Sequence, residues 1–145
     1  MKIIYWVSFI LAITAVTSTQ VLKGANSEEI LNHLQSNNYN IYILFFADLT
    51  TDNTKTRDAN QDIENKLGTV LRENEEIFYA KIDYTNPDFS KLSSVVGVTE
   101  TPTVLLIVHG KGVWLSGSNS NLLVERIRDF LPDFKQASSH HSNPY

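Results

Sequence analysis

The sequence predicts a mixed α/β fold: one central sheet with helices on both faces, preceded by an N-terminal hydrophobic segment. Three observations predict it. Two unbroken apolar runs, Ile41 to Phe46 (IYILFF) and Thr103 to Val108 (TVLLIV), are rich in β-branched and aromatic residues, and such runs belong to strands buried on both faces. Segments of helical periodicity alternate with them, the pattern of a sheet covered by helices. Finally, a glycine-containing turn, His109-Gly110-Lys111-Gly112, leads into Val113-Trp114-Leu115 and closes an antiparallel hairpin.

Taken in order, Ser27-Glu28-Glu29 reads as a helix start, with Ser27 as N-cap and acids in the first turn. Ile30, Leu31 and Leu34 give that helix one apolar face, and Asn37-Asn38 ends it. After the first strand, Asp48 to Asn53 (DLTTDN) is turn chemistry that offers caps to a following helix. In that helix Ala59, Ile63, Leu67 and Val70/Leu71 recur at helical spacing, a stripe that faces the core. Ile77 to Asp83 is a second strand, closed by Asn86-Pro87, and Phe89, Leu92, Val95 and Val96 fit a short helix stopped by Gly97. Beyond the hairpin, Asn119 or Ser120 caps a last helix carrying Leu123, Ile127, Phe130 and Leu131, which Pro132 is expected to end. Gln136 to Tyr145 is a polar, flexible tail. The folded domain is thus expected over 21–135, with 136–145 as tail and 1–20 apart from both.

Residues 1–20 are a signal peptide or a membrane anchor. Lys2, the apolar run Ile3 to Val16 and the small-residue end Thr17-Ser18-Thr19 form a secretory pattern, with Val16 and Ser18 fitting a cut after Ser18. The same stretch is free of charge from Ile3 to Leu22, between Lys2 and Lys23. At roughly 1.5 Å of rise per residue that length just crosses a hydrocarbon core of about 30 Å. The expected location is therefore the secretory pathway, in the endoplasmic reticulum lumen or secreted, or else a membrane, including the mitochondrial inner membrane, through this segment.

Composition excludes several classes of function. The net charge is −4 and no basic cluster is present, which argues against nucleic acid as the partner. The chain has no cysteine, so it holds no disulfide, no zinc–thiolate site and no thiol nucleophile. His33, His109 and His140-His141 are scattered over helix, turn and tail, which is no ligand spacing for a metal, and no metal or other cofactor is expected. No Asn-x-Ser/Thr sequon occurs.

Four local sequences then stand in a telling order: Phe45-Phe46-Ala47-Asp48; Lys81-Ile82-Asp83 with Asn86-Pro87; Val96-Gly97-Val98-Thr99-Glu100-Thr101-Pro102-Thr103; and the hairpin glycines Gly110, Gly112 and Gly117. With the element order, they resemble the thioredoxin fold across about residues 25–132. The resemblance implies that the family's Cys-x-x-Cys motif falls on Thr50-Thr51-Asp52-Asn53. Thr50 then stands for the attacking cysteine and Asn53 for the resolving one. Leu44 takes the place where many thioredoxins keep a buried carboxylate. A threonine hydroxyl offers no accessible anion comparable to the thiolate that a helix N-terminus stabilises. The family's proline is retained, and the resemblance implies a cis Thr101–Pro102 bond. In active relatives the backbone before this proline pairs with a bound peptide; here Thr101-Pro102 either keeps such a groove or only fixes the geometry of the fold.

Asp48 and Asp52 beside the degenerate motif are read as helix caps, or as acceptors for a partner's donors. Trp114 is read as either core or an exposed anchor for a partner. The expectation is a redox-inactive, non-catalytic thioredoxin-like binding module of the secretory pathway that holds a protein partner. The alternative is a structural accessory subunit of a larger membrane complex, anchored by residues 3–22. Mass spectrometry of the mature N-terminus separates them: a chain starting at Thr19 is a lumenal or secreted protein, whereas Met1 retained in a detergent extract is the anchored form.

Overall fold

The computed structural model describes residues 20–139. Its centre is β2 (Tyr42–Ala47), in which every residue is buried. β2 pairs in parallel with β3 (Phe78–Asp83) on one side and antiparallel with β4 (Thr103–Val108) on the other. β5 (Lys111–Ser116) continues the sheet beyond β4, and a two-residue strand, β1 (Gln20–Val21), adds to β3, giving the order β1-β3-β2-β4-β5. Gln20, assigned from sequence to the N-terminal segment, is therefore part of the sheet. Two residues carry no periodicity for a sequence to show; Leu22 N–H, bonded to Tyr79 O at 2.8 Å, and Gln20 Nε2, bonded to Glu75 O at 3.0 Å, hold them.

Alternation along β2 divides the core in two. Ile43 and Phe45 face α2 (Thr54–Glu73) and α4 (Ser120–Ser139), where they meet Ile63, Leu67 and Ile127. Leu44 and Phe46 face α1 (Ser27–Ser36) and α3 (Ser90–Val96), where they meet Ile30 and Leu92. Each fully buried side chain of this kind contributes roughly 1.5–3 kcal/mol relative to exposure.

Three local expectations are corrected. Asn26, not Ser27, caps α1, accepting from Glu29 N–H at 3.1 Å. The Ser27 hydroxyl is instead buried between helices, where it donates to Asp88 O and accepts from Leu92 N–H. The hairpin turn is only His109-Gly110, both at positive φ (52° and 71°), as a two-residue turn of this hand requires; Lys111 and Gly112 already pair with β4. Val95 does not join the core but lies 59% exposed.

The largest correction is α4, which passes through Pro132 and runs to Ser139, so residues 136–139 of the expected tail are helix. Leu131 and Phe134 are buried on either side of the proline. Further along, His109 Nε2 donates to Ala137 O and Ser138 Oγ donates to Tyr39 O. These contacts outweigh the one backbone bond a proline forfeits. The leader or anchor reading of residues 1–19, and His140 and His141, lie outside the described residues. No helix among the described residues is long and apolar enough to cross a membrane.

At the join of α2 and α4, the Ser120 hydroxyl donates to Asp62, and Lys66 Nζ donates to Ser120 Oγ at 2.6 Å and to Asp62 at 3.1 Å. The Ser120 hydrogen bond, followed by that from Lys66, lowers the Asp62 pKa below its ordinary 3.8. A carboxylate depressed in the folded state adds stability that is complete above its unfolded pKa and is lost as pH falls through the folded one. Denaturation midpoints measured from neutral pH down into strong acid should therefore fall less steeply below pH about 4 for Asp62→Asn than for the wild type.

Candidate functional site

The sheet's two ends differ in chemistry. At one end, the register Phe46↔Thr103 places Pro102 one step beyond the ladder, beside Ala47 and the start of the Asp48–Asn53 loop. The parallel register Ala47↔Asp83 brings Asp83 to the same place from β3. The residues that the sequence analysis singled out, Thr50 to Asn53 and Thr101-Pro102, are thus gathered at one end of the sheet. The Thr101–Pro102 bond is cis.

The Thr50–Asn53 slot is folded into consecutive side-chain turns. Asp48 Oδ1 accepts from both the N–H and the hydroxyl of Thr50, each at 3.1 Å. Thr51 Oγ1 accepts from Asn53 N–H at 3.1 Å, and Asn53 Oδ1 caps α2 by accepting from Thr56 N–H at 3.1 Å. From β3, Asp83 Oδ1 accepts from Thr85 Oγ1 at 2.7 Å, Thr85 N–H at 3.0 Å and Leu49 N–H at 3.4 Å. Thr50 Oγ1 also lies 3.3 Å from Thr85 Oγ1. Two hydroxyl protons face three contacts here, and the aspartates accept both.

The slot holds no thiol nucleophile. Thr50 precedes the helix N-cap by three residues, and the cap position is filled by Asn53, so Thr50 is not where the N-terminal dipole acts. Its hydroxyl has aspartate as partner and no imidazole. His33 lies in the last turn of α1 and His109 in the hairpin turn, both at the far end of the sheet. Leu44 is fully buried in apolar surroundings. Among the described residues no group of His, Asp and Glu is placed to hold a metal ion. Of the two aspartates, Asp48 organises the loop by accepting at its side chain, while Asn53, not Asp52, does the capping.

The proline loop is tied to β5. Pro102 O accepts from Gly117 N–H at 3.0 Å, and Thr103 Oγ1 bonds Ser116 Oγ at 2.7 Å and Glu100 O at 2.8 Å. Asn60, which sequence analysis passed over, is buried in α2 and donates through Nδ2 to Asp48 O at 3.1 Å, while its Oδ1 has no partner among the described residues. Its signal was present: it adjoins Ala59 and stands three residues before Ile63, a polar residue on the apolar stripe.

At the opposite end of the sheet lies a groove of about 350 Å³ between α1, α3 and the β4–β5 hairpin. Leu31 and Leu34 of α1, Val95 and Val96 of α3, Ile107 of β4 and Trp114 of β5 give it apolar walls. No Asp, Glu, Lys or Arg lines it. Trp114, left undecided between core and anchor from sequence, is 50% exposed, and its indole N–H donates to Val96 O at 2.7 Å. Below the groove, the Tyr42 hydroxyl donates toward His33 O and Asn37 O, and burial pushes its pKa up, so it stays a donor.

Among solved structures, thioredoxin from Fasciola hepatica matches with a TM-score of 0.58 at 23% identity, over 77% of this chain and 98% of that one. Thioredoxin O1 from Arabidopsis thaliana matches at 0.61 and 14%, over 77% and 97%. The Schistosoma mansoni thioredoxin pre-protein matches at 0.61 and 12%, over 80% and 99%. No protein-family profile matches the sequence, and no curated protein does. The chain has the thioredoxin fold, and without cysteine it cannot run the chemistry of a Cys-x-x-Cys pair.

Replacing the cap tests how the slot is held. Asn53→Ala should cost about 0.5–2 kcal/mol in chemical denaturation, while Thr50→Ala, at an exposed hydroxyl, should stay within about 0.5 kcal/mol.

Proposed function

We propose that this thioredoxin-fold chain works by binding a protein partner, with no covalent chemistry on it. The observation that carries this reading is the groove free of Asp, Glu, Lys and Arg, with Trp114 half-exposed at its rim. An aromatic ring with one wet face beside an apolar cleft is the side-chain type that anchors partners. The Thr50–Asn53 slot supports the same reading from the other side, since its polar groups are spent on one another and on capping α2. The partner presents uncharged apolar side chains, because a charge entering this lining would lose its hydration without meeting a counter-ion. The leader-like residues 1–19 support a site of action in the secretory lumen or at a membrane.

Fluorescence tests the reading on the full-length chain carrying Trp6→Phe, which leaves Trp114 as the reporter. A neutral leucine-rich peptide should shift Trp114 emission to the blue, and Trp114→Ala should weaken binding of the same labelled peptide by about tenfold or more. Asp48→Ala should leave it unchanged. Binding that survives Trp114→Ala but is lost on replacing Thr101 and Pro102 would move the site to the proline loop. Turnover in a disulfide-reduction assay would contradict the non-catalytic reading.

A further inference from the structure

Among the described residues, β5 ends the sheet and has a strand neighbour on one side only. Its pairing with β4 closes at Val108↔Lys111 around the two-residue turn. That pair exchanges both backbone hydrogen bonds, so the alternation of the ladder turns the N–H and C=O groups of Gly112, Trp114 and Ser116 outward. Side chains alternate in the same step. Val113 and Leu115 pack on the core under α2 and α4, whereas Gly112 and Trp114 line the groove. The residues that offer free backbone groups at the edge are therefore also residues of the groove.

Gly112 makes the edge and the groove continuous. A Cβ there would lie 2.8 Å from Leu105 Cδ1 and 3.3 Å from Leu106 O, so a side chain at this position would have to displace the end of Leu105, and without one the apolar floor of β4 reaches the sheet edge. A strand laid along β5 would set its alternate side chains beside Gly112 and Trp114, over that floor.

Charge states what the other side chains must be. Lys111 is the only charged residue of β5 and is exposed. Alternation puts it on the face of Val113 and Leu115, and among the described residues it has no acidic partner. We propose that the outer edge of β5 takes up an extended segment of a partner protein, added as a further strand, whose side chains alternate between apolar ones facing the groove and acidic ones facing Lys111. Strand addition at an open edge is a general way of binding peptides. The proposal deepens the binding reading above and rests on it.

The test uses blocked peptides alternating valine with glutamate, the same peptides with lysine for glutamate, and the glutamate peptide N-methylated along one edge. All are titrated into full-length Trp6→Phe protein with Trp114 as reporter. The glutamate peptide should bind, N-methylation should weaken it by about tenfold, and the lysine peptide should bind less well. Lys111→Glu, confirmed as folded by circular dichroism, should reverse the preference between the glutamate and lysine peptides. Equal binding of the N-methylated peptide, or a preference indifferent to Lys111→Glu, overturns strand addition. In that event, binding of a labelled peptide still lost in Trp114→Ala leaves the groove reading standing, and binding unchanged in Trp114→Ala removes both. A dimer, seen by sedimentation, that the glutamate peptide dissociates would give the edge to a second copy and also overturn the assignment.

Discussion

β2 carries the rest of the molecule. Its six residues are at most 2% exposed, and its backbone is paired on both sides. A strand with Phe45 on one face and Phe46 on the other cannot be solvated on either, so helices must cover both. That single requirement fixes α2 and α4 on one side and α1 and α3 on the other. It also sets the polarity of the sheet. Because β2 runs parallel to β3 and antiparallel to β4, its C-terminal end meets the end of β3 and the beginning of β4. There the Asp48–Asn53 loop, Asp83 and Pro102 converge.

The two ends of the sheet then take opposite characters. At the Asp48 end, short polar side chains fold back on nearby backbone, and Asp83 Oδ1 alone accepts three hydrogen bonds. Polar groups so satisfied gain little from a ligand, since any new bond must first replace an existing one. At the Trp114 end the chain runs short of cover. α3 is a single short helix of seven residues, and between it and α1 the apolar floor of β4 stays open. Binding energy is available where apolar surface remains exposed, not where hydrogen bonds are already closed.

Much of this was legible in residues with one strong preference. IYILFF and TVLLIV are the buried strands their β-rich composition foretold, and Gly97 ends α3 at φ 78° as its position foretold. Asn53 caps α2 from the end of a turn-forming run. The order of local sequences around Phe45, Asp83 and Pro102 indicated the thioredoxin fold, and with it the slot at Thr50 to Asn53. Misreadings fell on residues whose local preference was overruled from a distance. Ser27 is a good cap but serves Asp88 and Leu92, more than sixty residues away. Pro132 is a helix breaker, yet the burial of Leu131 and Phe134 holds the helix together across it.

The sequence by itself determined the four longer strands and the four helices in their order, that the sheet is covered on both faces, and that thiol chemistry is absent. Those follow from periodicity, propensity and the lack of cysteine, each a property of residues near one another in the chain or of composition. Only the tertiary structure decided where Trp114 and Val95 lie, that Asn60 is buried beneath Asp48, and that α1, α3 and the hairpin leave a groove open at the edge of β5. A surface is made by elements that are remote in sequence, and whether an apolar residue is covered depends on what the fold places over it. No local pattern carries that information.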